Sequence, residues 1–152
     1  MIRNDNSSRF GKFIEMQINK TTGNIHQARI LNYLLEKSRL ISQFEGERNF
    51  HIFYYFLKGM QPSELSKYGI DARTKLDEYG YLKGTAFLHN DDKMLGDVRA
   101  SLKILPFKDA EDCVWRVIAA ILHLGNINFR EITGSKCEVI NGESLREVCR
   151  LL

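Results

Sequence analysis

"NDNSSRFGKFIEMQI", residues 4–18, joins a polar segment directly to an alternating one. The polar half holds two asparagines, two adjacent serines and an arginine, with a single aromatic side chain after them. In the second half Ile14, Met16 and Ile18 fall on one face of an extended chain, which predicts a β-strand over Phe13–Ile18. Taken alone, the polar half is more typical of a turn before a strand than of a binding loop. Its meaning therefore depends on the rest of the chain.

The segment after this strand carries two conflicting patterns. Asn19–Asn24 is typical of a turn, with a glycine that tolerates positive φ. Over Ile25–Ile41 the leucine, glutamate, lysine and arginine content favours a helix, whereas Leu31, Tyr33 and Leu35 alternate as they would in a strand. Propensity alone predicts a helix for this segment.

Beyond residue 46, apolar side chains recur at helical spacing. Two stripes carry this pattern, Phe50, Phe53, Tyr54 and Leu57 in the first and Leu95, Val98, Leu102 and Leu105 in the second. The predicted helices cover 47–58, a short segment from Pro62 to Gly69, 91–105, 109–124 and Glu143–Leu152. Asn90 or Asp91 is expected to cap the third of them, and Gly125 to end the fourth.

Two short strands are predicted near the end of the chain. Ile127–Phe129 and Glu138–Ile140 are apolar, and they flank the polar segment Arg130–Lys136. That segment is expected to be a surface loop.

Composition excludes several classes of protein. The chain has 152 residues, 43% hydrophobic and 27% charged, as is ordinary for one globular domain. Its net charge of +3 comes from interspersed residues, so no basic stripe indicates a nucleic-acid partner. The longest apolar run, Val117–Leu122, falls far short of the roughly 20 residues of a membrane helix. We expect neither a nucleic-acid partner nor a transmembrane segment.

The cysteines and histidines do not form a ligand pattern. Cys113, Cys137 and Cys149 lack C-x-x-C spacing, which favours reduced thiols over a disulfide or zinc site. The four histidines are isolated in sequence, so each is expected to be structural or on the surface.

Four blocks of sequence, in order, resemble the myosin motor domain. They are "NDNSSRFGKF" from residue 4, "YLLEKSR" at 33–39, "GERNFHIFY" at 46–54 and "ILHLGNINF" at 121–129. Kinesins also carry a Ser-Ser-Arg triplet in the first block, but there Ser-His follows the arginine. Here Phe10-Gly11-Lys12 follows, which favours myosin.

The resemblance implies an α/β fold of the P-loop NTPase type. Residues 1–12 would be switch I, 13–41 two strands of the transducer sheet, and 46–152 a mainly helical upper actin-binding subdomain. "YLLEKSR" belongs to a strand in that family, so the resemblance predicts a strand over roughly 28–40 that pairs antiparallel with Phe13–Ile18. Tertiary context commonly overrides helix propensity in this way.

The resemblance also assigns roles to the first block. Asn4 and Asn6 would hydrogen-bond around the phosphates of ATP, and Ser7 would lie beside the attacking water. Ser8 would be a ligand of Mg²⁺, a hard cation that prefers oxygen. Arg9 would pair with a glutamate of switch II and close the site, because a guanidinium can hold a carboxylate at two points.

The implied cofactors are therefore ATP and Mg²⁺, and the implied partner is the actin filament. Arg130, Glu131 and Lys136 fall where the family has a surface loop that can touch actin. The expected location is the cytoplasmic cytoskeleton.

Residues 1–152 contain no G-x-x-x-x-G-K-[ST] pattern, which cradles phosphates in P-loop enzymes, and no switch II motif. The last helix is still periodic at Leu152. We therefore expect a part of a longer motor that, alone, neither binds ATP tightly nor hydrolyses it. The alternative is a non-catalytic α+β interaction module derived from a myosin scaffold. The presence of Ser7, Ser8 and Arg9 together favours the motor.

Overall fold

The structure is a computed structural model, which describes residues 10–35, 37–44, 46–104, 110–134 and 136–152. The chain divides between Gln43 and Phe44 into two compact units. The first is built on strands and the second mainly on helices.

The first unit contains an antiparallel pair of strands, β1 (Phe10–Ile18) and β2 (Ile25–Leu35). Ile14 lies opposite Ile30, in the middle of the pair. The connecting turn is closed by Asn19, whose Oδ1 accepts the backbone N–H groups of Thr21 at 2.8 Å and Thr22 at 3.2 Å. The predicted strand, turn and antiparallel pairing are confirmed, although β1 begins three residues before Phe13.

Strand β2 occupies the segment in which helical composition and strand alternation conflict. The helix that propensity favours over Ile25–Ile41 is wrong, because the backbone groups of Ile25–Leu35 pair with β1. The strand that the resemblance implies for 28–40 is confirmed as far as Leu35. Beyond it, Ser38–Ile41 forms a short helix, α1, where a strand was expected. The Leu40 N–H donates to Lys37 O at 3.1 Å, a bond of a tight turn that an extended chain cannot make.

The second unit contains five helices among the described residues. They are α2 (His51–Gly59), α3 (Pro62–Lys67), α4 (Asp91–Ile104), α5 (Ala110–Gly125) and α6 (Gly142–Leu151), with a 3₁₀ turn at Leu76–Glu78. Helix α2 packs against α4, and α5 against α6. None of these described helices has the length and apolar character needed to cross a membrane. The predicted helices are confirmed within the described residues, while Leu105 and Asp109 lie outside them.

Helix α2 begins four residues later than predicted. Phe50, which precedes it, has φ −54° and ψ 129°, an extended conformation. Its N–H donates to Asn49 Oδ1 at 2.7 Å, so the chain turns there before the helix starts. Phe50 consequently lies 39% exposed rather than in the core.

The core of the second unit is aromatic at its centre. Phe56 stacks on Trp115, with ring centroids 5.8 Å apart and planes 18° apart, and both side chains are buried. Burying one such side chain stabilises the fold by about 1.5–3 kcal/mol. Phe53 and Tyr54 are buried as the helical stripe predicts.

A second hairpin follows α5. It consists of β3 (Phe129–Thr133) and β4 (Lys136–Val139), paired antiparallel with Arg130 opposite Glu138. The strand limits predicted at Ile127–Phe129 and Glu138–Ile140 are wrong, as is the loop over Arg130–Lys136, most of which is strand. The Ile127 N–H donates to Leu124 O at 3.2 Å, so Ile127 belongs to the end of α5. Strand β3 begins only at Phe129.

Candidate functional site

The candidate nucleotide loop lies outside the described residues. This holds for each of its predicted contacts, Asn4, Asn6, Ser7, Ser8 and Arg9. The described chain begins at Phe10, already the first residue of β1, and the register of the strand pair shifts between Gly11 and Lys12. Residues 10–12, the last three of the predicted switch I range, therefore already belong to a strand.

The candidate partner-binding residues lie together on the second hairpin. Arg130 and Glu131 are on β3 and Lys136 is on β4, and all three are exposed. The Arg130 Nε donates to Glu138 Oε1 at 2.9 Å, and its Nη2 donates to the same oxygen. The Arg130 side chain stays 67% exposed in this ion pair, which limits the contribution of the pair to stability to below about 1 kcal/mol. Most of its charge thus remains accessible to a partner.

Apolar side chains accompany these charges. Phe129 is 63% exposed and Ile132 57%, and Ile140 directly after β4 is also exposed. Apolar groups rimmed by charges are typical of surfaces that bind another protein. These three residues were not among the predicted contacts, although Phe129 and Ile132 flank the charged residues 130 and 131 in the sequence.

Three asparagines close the base of this hairpin. The Asn128 N–H donates to Asn141 Oδ1 at 2.7 Å, and Asn128 O accepts the Ile140 N–H at 2.9 Å. Asn141 Nδ2 and Asn128 Nδ2 both donate to Asn126 O. We call Asn126, Asn128 and Asn141 the asparagine clamp. It connects the residue before β3, the residues after β4 and the end of α5.

The asparagine clamp also reaches a distant loop. The Gly80 N–H donates to Asn126 Oδ1 at 2.8 Å. The two chain segments approach so closely that a Cβ on Gly80 would lie 2.2 Å from Gly125 O, and one on Gly125 would lie 2.6 Å from Tyr81 Cδ2. Gly80 therefore has no room for a side chain against the backbone of Gly125, whereas a side chain at 125 would displace the Tyr81 ring. The end of α5 is thus held against the loop at 79–82.

Asn49, in the "GERNF" block, holds the other side of that loop. Its Nδ2 donates to Tyr81 O at 3.0 Å, and its backbone N–H donates to Tyr54 Oη at 3.0 Å. Burial raises the pKa of the neighbouring Tyr79 to about 12, so this phenol stays neutral. The loop at 79–82 is thus fixed by the segment before α2 and by the residue after α5.

Arg48 and Asp91 form a buried ion pair beside this loop. Arg48 Nη2 lies 2.8 Å from Asp91 Oδ2, and the guanidinium carbon lies 3.8 Å from the centroid of the Tyr54 ring. Asp91 Oδ2 also accepts the Leu88 N–H at 2.7 Å. Asp91 was predicted as one of two cap candidates for α4. Its Oδ2 instead bonds Leu88, which precedes the helix, and Arg48, which lies far away in sequence. Its role is to join α4 to the segment before α2.

The described residues contain no group of three or more histidine, cysteine, aspartate or glutamate side chains that could hold a metal ion. Cys113, Cys137 and Cys149 are free, exposed thiols. His123 is buried, with Nε2 2.9 Å from Tyr68 O, as expected of a structural histidine.

A family model described as the myosin head (motor domain) matches residues 1–152. Unconventional myosin heavy chain 6 of Caenorhabditis elegans is 39% identical over 158 residues, which cover 99% of this chain and 7% of that protein. The myosin IE heavy chain of Dictyostelium discoideum is 42% identical over 135 residues, covering 86% of this chain and 13% of the relative. The unconventional myosin-Ic-A of Xenopus laevis is 40% identical over 157 residues, covering 99% and 15%. The chain thus spans between 7% and 15% of the length of these three curated relatives.

Proposed function

This chain belongs to the myosin motor-domain family, and we propose that it is part of an actin-based motor driven by ATP hydrolysis. The observation that carries the proposal is the family match over residues 1–152, which includes the "NDNSSR" segment at 4–9. We further propose that the motor works at the actin cytoskeleton in the cytoplasm.

The residue types at 4–9 fit a loop that contacts Mg²⁺ and ATP. Asn4 and Asn6 offer amide N–H donors for phosphate oxygens, and Ser7 offers a hydroxyl beside the attacking water. The Ser8 hydroxyl suits Mg²⁺, which takes oxygen ligands and shares them with phosphates and water. When bound, Mg²⁺ would neutralise negative charge on the phosphates.

Arg9 is proposed to act as a latch. Phosphoryl transfer depends on positioning and charge stabilisation rather than on covalent participation by the protein. A guanidinium that pairs with a carboxylate of switch II would give the loop a closed and an open position. Since β1 begins at the next residue, movement of Arg9 would bear directly on the strand pair.

We also propose a division of labour along the chain. Residues 1–12 act as switch I, 13–41 as transducer strands and 46–152 as the upper actin-binding subdomain. The division between Gln43 and Phe44 supports this assignment. Arg130, Glu131 and Lys136 are proposed to contact actin, because all three are exposed on the second hairpin.

Site-directed variants of the complete motor test the nucleotide roles. We expect Ser8→Ala and Arg9→Ala each to lower the steady-state ATPase rate by about 10²–10³, the usual effect of removing one preorganised transition-state contact. Ser101→Ala and Arg73→Ala are matched controls, because both side chains are exposed on the second unit and distant in sequence from 4–9.

The rates are measured with and without actin filaments. ATPase rates near wild type for both variants would remove Ser8 and Arg9 from the catalytic set. A complete protein that has no ATPase activity at all would instead favour the non-catalytic interaction module. A charge-swapped switch II partner that restores the rate of Arg9→Glu would support the latch directly.

A further inference from the structure

The second hairpin does not fix its own orientation. All five residues of β3 are exposed, and the hairpin has only two strands. A two-stranded hairpin is marginally stable at best without support from elsewhere. Its position must therefore come from the residues at its base.

We infer that Asn126 and Asn141 are positioning residues, which fix the second hairpin against the loop at 79–82 and so orient its actin-contacting side chains. The contact of the hairpin with actin rests on the proposed function. The positioning of the hairpin by Asn126 and Asn141 does not. Neither asparagine is proposed to touch actin.

The bonds of the asparagine clamp carry the inference. Asn141 joins both ends of the hairpin, since its Oδ1 accepts the N–H before β3 while its own backbone follows β4. Its Nδ2 donates to Asn126 O at the end of α5. Asn126 Oδ1 then accepts the Gly80 N–H at 2.8 Å, from a residue 46 positions away in sequence. The hairpin base, α5 and the loop at 79–82 are thus connected through two side chains.

The two asparagines use their amides differently, which gives a chemical test. Asn126 engages its side chain as an acceptor, and aspartate retains an acceptor oxygen at that position. Asn141 engages both ends, because Oδ1 accepts one N–H while Nδ2 donates to Asn126 O and lies 3.4 Å from Ser144 Oγ. An aspartate at 141 would lose the donor and direct a carboxylate oxygen at a carbonyl oxygen. Asn126→Asp should therefore be tolerated and Asn141→Asp should not, although the added charge is the same.

Amide hydrogen exchange over residues 129–139 of the complete motor measures the order of the hairpin. We expect Asn126→Ala, Asn141→Ala and Asn141→Asp to speed exchange there by about tenfold or more, because the hairpin can then open while the rest of the second unit stays folded. Asn126→Asp and the control Asn24→Ala, in the exposed turn of the first unit, should leave it unchanged. Unchanged exchange in both alanine variants, or equal behaviour of the two aspartate variants, would overturn the inference.

Actin affinity of the same variants separates the inference from the proposed function. If the hairpin loosens and the dissociation constant for actin filaments rises several-fold, both the positioning role and the proposed actin contact are supported. If the hairpin loosens while actin affinity is unchanged, the positioning role stands and the actin contact by Arg130, Glu131 and Lys136 fails. A lowered affinity with unchanged hairpin exchange would contradict the positioning role.

Discussion

At the scale of single residues, Asp91 is the most consequential buried charge. Only 1% of its side chain is exposed, and Arg48, its ion-pair partner, is 14% exposed. Removing one member of a buried pair leaves the other charge desolvated and unpaired, which typically costs about 3–5 kcal/mol. We therefore expect Asp91→Ala to lower the free energy of unfolding of the chain by that amount, measured by urea denaturation with the fluorescence of Trp115, its single tryptophan.

An exposed pair of the same chemistry supplies the control. Arg73 Nη2 lies 2.7 Å from Asp71 Oδ2, with 90% and 50% of the side chains exposed, so water screens their interaction. Asp71→Ala should leave the unfolding midpoint nearly unchanged. The double variant Arg48→Met with Asp91→Ala should be more stable than Asp91→Ala alone, because it removes the stranded cation. Equal effects of Asp91→Ala and Asp71→Ala would show that burial of the pair is unimportant.

At the scale of helices and strands, one guanidinium connects three helices. Arg99 on α4 places Nη2 2.6 Å from Glu64 Oε1 on α3 and Nε 3.1 Å from Glu111 Oε1 on α5. Glu111 Oε1 also accepts the Trp115 Nε1–H at 3.1 Å. The hydrogen bond from Arg99 holds the pKa of Glu64 below its ordinary value of 4.5.

This lowered pKa predicts a pH dependence of stability. Since the folded state has the lower pKa, the unfolded state binds more protons, and the contribution is present above about pH 4.5 and lost as the pH falls through the folded pKa. Because both side chains are partly exposed, we expect it to be below about 1 kcal/mol. Arg99→Met should flatten the fall in unfolding free energy between about pH 5 and about pH 3.

The control is Lys93→Met, an exposed cation on the same helix. Its pH profile should follow that of the wild-type chain. If Arg99→Met also follows it, the ion pair with Glu64 contributes nothing to stability in this range.

Helix spacing and strand alternation predicted most elements, and the family match confirms both the resemblance and the α/β class. Local pattern failed where distant partners decide the conformation. Ile25–Leu35 has helical composition but pairs with β1, and Ile127 is apolar but completes the end of α5. The bond from Gly80 to Asn126 and the Arg48–Asp91 pair were missed for the same reason. Their partners lie 46 and 43 positions apart in sequence, and no periodicity encodes such a distance. The roles of Asn4, Asn6, Ser7, Ser8 and Arg9 stay predictions.

At the scale of the whole molecule, the two units have unequal internal support. The second unit has an apolar core to which all five of its described helices contribute, and which includes Trp115, Phe56 and Leu95. In the first unit, Phe13 and Ile14 point to opposite faces of β1, yet they are 53% and 52% exposed. Apolar strands exposed on both faces gain little from the hydrophobic effect, and they invite association with other chains.

The chain on its own should therefore show two levels of protection in amide hydrogen exchange. Amides of α2 and α5 should exchange only through opening of the core, whereas those of β1 and β2 should exchange much faster, because a strand pair opens locally when few apolar contacts hold it. Mg²⁺ and ATP should not slow the exchange of β1, since residues 1–152 contain no pattern for a phosphate-cradling loop and Ser8, the predicted ligand of the ion, could supply only one oxygen. In the complete motor, by contrast, the strand pair should be protected and should respond to the nucleotide.

Measurement at several protein concentrations separates folding from self-association. If β1 and β2 are as well protected as α5 in a dilute solution of the isolated chain, the strand pair is stable by itself. If Mg²⁺ and ATP slow the exchange of β1 in the isolated chain, residues 1–152 already hold a working nucleotide site.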